Sequence, residues 1–78
     1  MPVDWVQNDQ LTWRGRFSRL MVLYVHKNHL GSFNITIETP SGNVLTSAGP
    51  YDSFDKAKLA AITATRKLLQ EAMDDLEG

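Results

Sequence analysis

The chain predicts an α+β fold: a three-stranded antiparallel β-meander, with a short fourth strand allowed at the amino-terminal edge, and one long carboxy-terminal helix packed on one face. Three observations predict it. Ser53 to Leu76 is written as an amphipathic helix. Phe33, Ile35 and Ile37 alternate with Asn34, Thr36 and Glu38, the pattern of a strand with one wet face. Thr39-Pro40-Ser41-Gly42 and Gly49-Pro50 punctuate the chain between these segments.

The elements follow in order. Residues 1–12 mix Trp5 with Gln7, Asn8, Asp9 and Gln10 and are expected to form a loosely ordered arm, ending in an edge strand near Leu11–Trp13. Residues 13–78 are expected to form a single β-β-β-α domain. Gly15 breaks the pattern as a bend or bulge would. Phe17 to His26 is rich in strand formers and reads as the first strand of the meander. Lys27 to Gly31 is expected to be a five-residue hairpin loop, with Asn28 or Gly31 at positive φ. Ser32 to Thr39 is the second strand. Pro40 and Gly42 then suit a tight turn, and Asn43 to Ser47 is a short third strand. The turn register leaves open whether Val44 or Leu45 shares the face of Ile37. Gly49-Pro50 is expected to stop that strand, since proline cannot donate to the ladder.

Ser53 or Asp52 is the expected helix cap, and Asp55 in the first turn suits the helix dipole. At about 100° per residue, Phe54, Ala57, Ala61, Ile62, Thr65, Leu68, Leu69, Ala72, Met73 and Leu76 share one broad face. Thr63, Arg66, Lys67, Gln70, Glu71 and Asp74 lie opposite.

A chain of 78 residues has room for one core, and its 42% hydrophobic and 22% charged content is that of a globular domain. A core this small leaves a thin stability margin, commonly widened by disulfides, a metal or a partner subunit. There is no cysteine, so self-association is a live option, and a reducing cytoplasm is the expected location. Met1-Pro2-Val3-Asp4-Trp5 lacks the pattern of a secretory leader. The longest apolar run, Leu20 to Val25, is far short of a membrane span. Net charge is −1, with a surplus of basic side chains in residues 1–30 and of acidic ones beyond. That mild asymmetry argues against nonspecific nucleic-acid binding by the whole surface and leaves room for a local basic strip.

Two mismatches of size carry the functional expectation. A helix of roughly 23 residues is about 34 Å long, whereas an eight-residue strand spans about 26 Å. The last turns, with Ala72, Met73 and Leu76, should overhang the sheet, and cover by the Trp5/Trp13 arm is the simpler expectation. The second mismatch is in the first strand, where Leu20, Val22 and Tyr24 point one way and Met21, Leu23 and Val25 the other. A strand apolar on both sides is usually buried on both sides. Either the arm folds over the back of the sheet or two sheets pack back to back in a dimer, and the dimer is favoured.

Chemistry is sparse. His26 and His29 lack the further ligands a zinc site needs and are expected to be solvent-exposed loop residues. The five glycines lie at turns and build no phosphate loop. Ser41, Ser47 and Ser53 lack a nucleophile elbow. Glu71, Asp74, Asp75 and Glu77 spread around the helix end as a solvated terminus; being unfavourable to the dipole there, they suggest fraying or an external basic partner. Asn34-Ile35-Thr36 matches a glycosylation acceptor by chance. No catalytic, cofactor or metal residue is assigned, and no cofactor is expected.

Trp13-Arg14-Gly15-Arg16-Phe17, Phe33-Asn34-Ile35, Thr39-Pro40-Ser41-Gly42 and Tyr51-Asp52-Ser53-Phe54-Asp55-Lys56-Ala57 together resemble small bacterial or phage β-β-β-α domains of unknown function. The likeness covers residues 13–70 and rests on turn, cap and packing residues. It implies the same fold and a bacterial or phage origin, and it implies no catalytic residue.

The expected function is that of a small non-enzymatic interaction module acting through protein–protein contact as a homodimer. Its expected interface is Met21, Leu23 and Val25 on the back of the sheet (or Leu20, Val22 and Tyr24 if the faces are reversed), with Ala72, Met73 and Leu76 at the overhang. The alternative is a single-stranded nucleic-acid or RNA-binding module using Trp13, Arg14, Arg16 and Arg19, with Phe17, Tyr24 and Lys27 nearby, because arginines interleaved with aromatics on a sheet can hold phosphates and stack bases.

Overall fold

Five antiparallel strands, each hydrogen-bonded to the next in sequence, are followed by one helix in the computed structural model, which describes residues 3–16 and 19–77. The strands are β1 (Asp4–Gln7), β2 (Thr12–Arg16), β3 (Val22–Lys27), β4 (Phe33–Glu38) and β5 (Val44–Tyr51), and the helix is α1 (Phe54–Glu77). The α+β class and the carboxy-terminal helix agree with the sequence, but the sheet has five strands rather than three or four. The extra strand comes from the amino-terminal segment. Residues 4–7 are not a loose arm; they pair with β2, Trp5 opposite Gly15 and Val6 opposite Arg14. Asp9 tightens the connection by accepting the Leu11 N–H at 2.8 Å. A four-residue strand whose two apolar side chains, Trp5 and Val6, are adjacent shows no alternation, so only its neighbour reveals it.

The strand expected from Phe17 begins at Val22; Phe17 itself lies outside the described residues. The β3–β4 hairpin is held by Asn28, whose Oδ1 accepts the N–H groups of Leu30 and Ser32 at 2.9 and 3.1 Å. In the β4–β5 turn the Gly42 N–H reaches the Thr39 carbonyl at 2.9 Å, with Gly42 at φ +97° where a side chain would be strained.

Two bulges set the face of β5. Ile37 pairs with Thr46 while Glu38 pairs with Val44, so Leu45 is the extra residue. Val44 therefore follows Glu38 onto the open face of the sheet, and Leu45 with Thr46 borders α1 beside Ala64 and Leu68. The strand continues through Gly49-Pro50 to Tyr51 instead of stopping, because an edge strand tolerates a residue without an N–H.

The helix starts where expected. The Ser53 Oγ accepts the Lys56 N–H at 3.1 Å, which makes Ser53 the cap. Lys56 also reaches Asp52 at 2.9 Å, and its hydrogen bond and charge hold that carboxyl below its usual range. The helix lies over β3, β4 and β5. Leu23, Val25, Ile35 and Ile37 are fully buried beneath it, each side chain worth about 1.5–3 kcal/mol on transfer from water. Ala57 and Ala61, fully buried on α1, permit the close approach. Thr65 is buried too, its hydroxyl donating to the Ala61 carbonyl at 2.8 Å.

Over β1 and β2 the cover is aromatic. Phe54 is the hub: its ring centroid lies 4.7 Å from Trp13, 6.0 Å from Phe33 and 6.3 Å, edge-on, from Trp5.

Candidate functional site

Pairing register divides the sheet into two faces. Trp5, Trp13, Leu23, Val25, Ile35 and Ile37 face α1, while Val6, Arg14, Arg16, Val22, Tyr24, Thr36 and Glu38 face away. The first consequence is a correction. Met21, Leu23 and Val25, expected on the back of the sheet, are 7%, 0% and 0% exposed and belong to the core under the helix. The spacing of two along a strand tells which residues share a face, not which face the helix takes.

The back of the sheet is therefore the Val22–Tyr24 side, and it is mostly polar. Val22 is already buried by its neighbours, and Tyr24 is half-buried among Arg14, Thr36 and His26. The amino-terminal segment does not fold over it. Nor does that segment cover the helix overhang, because Trp5 and Trp13 pack on Phe54 at the opposite end of α1.

The overhang is bare. Every residue from Gln70 to Glu77 is exposed, with Met73 at 55% and Leu76 at 88%. The helix passes the sheet at the end where β3 and β5 begin, since Leu68 sits beside Leu45 and Thr46. Val44 and Leu45, 60% and 44% exposed, start β5 at that end, and the 65% exposed Leu20 just precedes β3. Leu20, Val44, Leu45, Met73 and Leu76 thus lie at one pole, while Val6, Leu11, Leu30 and Leu59 are exposed elsewhere. A molecule 43 Å long and only 23 by 20 Å across reflects the same projection.

Half-buried Ile62 and Leu69 lead into exposed Met73 and Leu76 on the overhang, and at about 100° per residue the four share a stripe with Arg66 and Glu77 beside it. Neither Arg66 nor Glu77 has an ion-pair partner among the described residues. The last turn carries no basic side chain, so Asp74, Asp75 and Glu77 oppose the negative end of the helix dipole. On the other flank of α1, Tyr51, Leu59, Ala60 and Ala64 border a shallow groove of about 520 Å³ beside the free edge of β5.

The basic and aromatic cluster is split by the sheet. Trp13 belongs to the helix side, Arg14 and Arg16 to the open side, and exposed Arg19 to the β2–β3 connection. Tyr24 is the aromatic residue that does share the open face with the arginines. His26 is not a loop residue; it lies in β3, half-buried, its ring parallel to Tyr24 with 5.8 Å between centroids. The two-residue spacing of Tyr24 and His26 was the signal for this pairing. His29 is exposed in the hairpin, and among the described residues no three potential metal ligands converge. No helix of the described residues is long and apolar enough to cross a membrane.

No family model matches the chain, and neither a curated protein nor a solved structure matches it.

Proposed function

We propose that this chain is a small non-enzymatic interaction module that works by protein–protein contact as a homodimer, joined through the helix overhang. The exposure of Met73 and Leu76 on the overhang is the observation that carries this reading. Residues this apolar are rarely left in a contiguous exposed patch without a partner.

Charge argues for a second copy as the partner. Two helices crossing antiparallel near residues 69–73 place Arg66 of each beside Glu77 of the other, which supplies both side chains with the opposite charge they lack among the described residues. A stable dimer needs about 800 Å² from each partner. That is about one-seventh of the 5532 Å² surface of this molecule, and the exposed Leu20 lies at the same pole as the stripe. A chain without cysteine suits a cytoplasmic setting for such a module.

Light scattering tests the proposal: a dimer is expected at micromolar concentration, and Leu76→Asp should convert it to a folded monomer. A wild-type chain that stays monomeric at millimolar concentration would falsify it.

A further inference from the structure

The open face of the sheet lies opposite α1, so a dimer joined through the helices leaves it free in both copies. We infer that this face binds single-stranded RNA, with Tyr24 and His26 as the stacking platform and Arg14 and Arg16 as the phosphate contacts. The inference does not depend on the dimer.

Four features carry it. The Tyr24 and His26 rings are stacked, at 14° and 5.8 Å between centroids, too close to admit a base between them, so each ring backs the other and a base would stack on an outer face of the pair. Thr12 Oγ1, 3.4 Å from His26 Nδ1, helps fix the imidazole. Arg14 sits directly across the β2–β3 ladder from Tyr24, and Arg16 follows two residues along, about 7 Å away. That separation is close to the distance between neighbouring phosphates on an extended strand. Both arginines are exposed and neither forms an ion pair among the described residues, so both are available to an anionic partner.

The remaining neighbours favour RNA. Asn34 and Thr36 adjoin the platform on β4, and Ser47 continues the Tyr24–Thr36 row on β5. These short side chains both donate and accept hydrogen bonds, which is the chemistry that meets base edges and ribose 2′-hydroxyls. The carboxylates on this face, Asp4 and Glu38, both lie in the Arg16 row. They weaken the pull of Arg16 on phosphate and make Arg14 the stronger contact. Binding is accordingly modest and set more by stacking than by charge.

The test is titration of the full-length chain, isotope-labelled, with a mixed-sequence single-stranded RNA oligonucleotide at low salt. Amide shifts are expected at Arg14, Tyr24, His26, Asn34 and Thr36 and not along α1. Two phosphate contacts give a slope of log affinity against log salt of about −1.4, and Arg14→Ala should reduce its magnitude by about 0.7. Tyr24→Ala should weaken binding roughly five- to a hundred-fold through lost stacking. Tyr24→Phe, which keeps the ring and the packing, should bind nearly as wild type. Lys56→Ala, on the other side of the molecule, should leave binding unchanged. Shifts centred on the helix, or a salt slope indifferent to Arg14→Ala, overturn the site. A DNA strand of the same sequence binding as tightly as the RNA overturns the assignment to RNA.

Discussion

Gly15 faces Trp5 across the β1–β2 ladder, and the indole lies over the space a side chain would fill. A Cβ built on Gly15 would come within 2.9 Å of Val3 Cγ1 and about 3.0 Å of the Trp5 ring. Trp5 cannot simply step aside, because its other contact is the edge of Phe54. Gly15→Ala should therefore cost about 1–3 kcal/mol through overpacking. Phe54, which joins the start of α1 to three other aromatic rings, should cost about 3 kcal/mol on replacement by alanine, the low end for an aromatic truncation because its ring is half-buried. Urea unfolding followed by tryptophan fluorescence measures both. An unchanged midpoint for Gly15→Ala would mean that the indole has room to move and that the glycine is not what seats it.

Among the elements, α1 has two parts with different tasks. Its first four turns are pinned by the Ser53 cap, by Phe54 and by the buried line Ala57–Ala61–Thr65. Its last two turns touch little of their own chain, since residues 70–77 are all exposed. A chain ending at Gln70 should accordingly keep the fold. Its stability, measured by thermal melting at concentrations too low for association, should change by less than about 1 kcal/mol. It should also lose dimerisation at micromolar concentration. Loss of cooperative melting in the shortened chain would show that the final turns serve the monomer's own core and would remove them as a docking element.

At the scale of the whole molecule, the two proposed surfaces have little in common. The helix overhang offers apolar surface and unbalanced charge, whereas the open sheet offers arginines, parallel rings and short polar side chains. Because α1 covers one side of the sheet only, the two surfaces can be occupied together. The geometry proposed for the dimer makes a further demand on charge. Arg66→Glu and Glu77→Arg should each weaken association by placing like charges together. The double exchange should restore most of it, because a two-fold antiparallel pairing regenerates both ion pairs. Each exposed pair is worth only about 0.2–1 kcal/mol, so sedimentation equilibrium over a range of concentrations is the suitable measurement. Failure of the double variant to recover would rule out this crossing while leaving other dimers to the light-scattering result.

Local chemistry determined much of this protein from sequence alone. The cap at Ser53, the apolar face of α1, the alternation of β4 and the Thr39–Gly42 turn all depend on neighbours within a few residues, so their spacing makes them legible. The overhang followed from two lengths, the rise of a helix and the rise of a strand. Tertiary structure alone decided what depends on distant partners. It made Asp4–Gln7 a strand by pairing it with β2, carried β5 through Pro50 by placing it at an edge, and put Leu45 beside the helix through a bulge. It also chose which side of β3 meets α1, sending Leu23 and Val25 into the core and Tyr24 to the open face beside Arg14. A strand's alternation is the same whichever side is buried; only the helix, arriving from thirty residues later in the chain, breaks that symmetry.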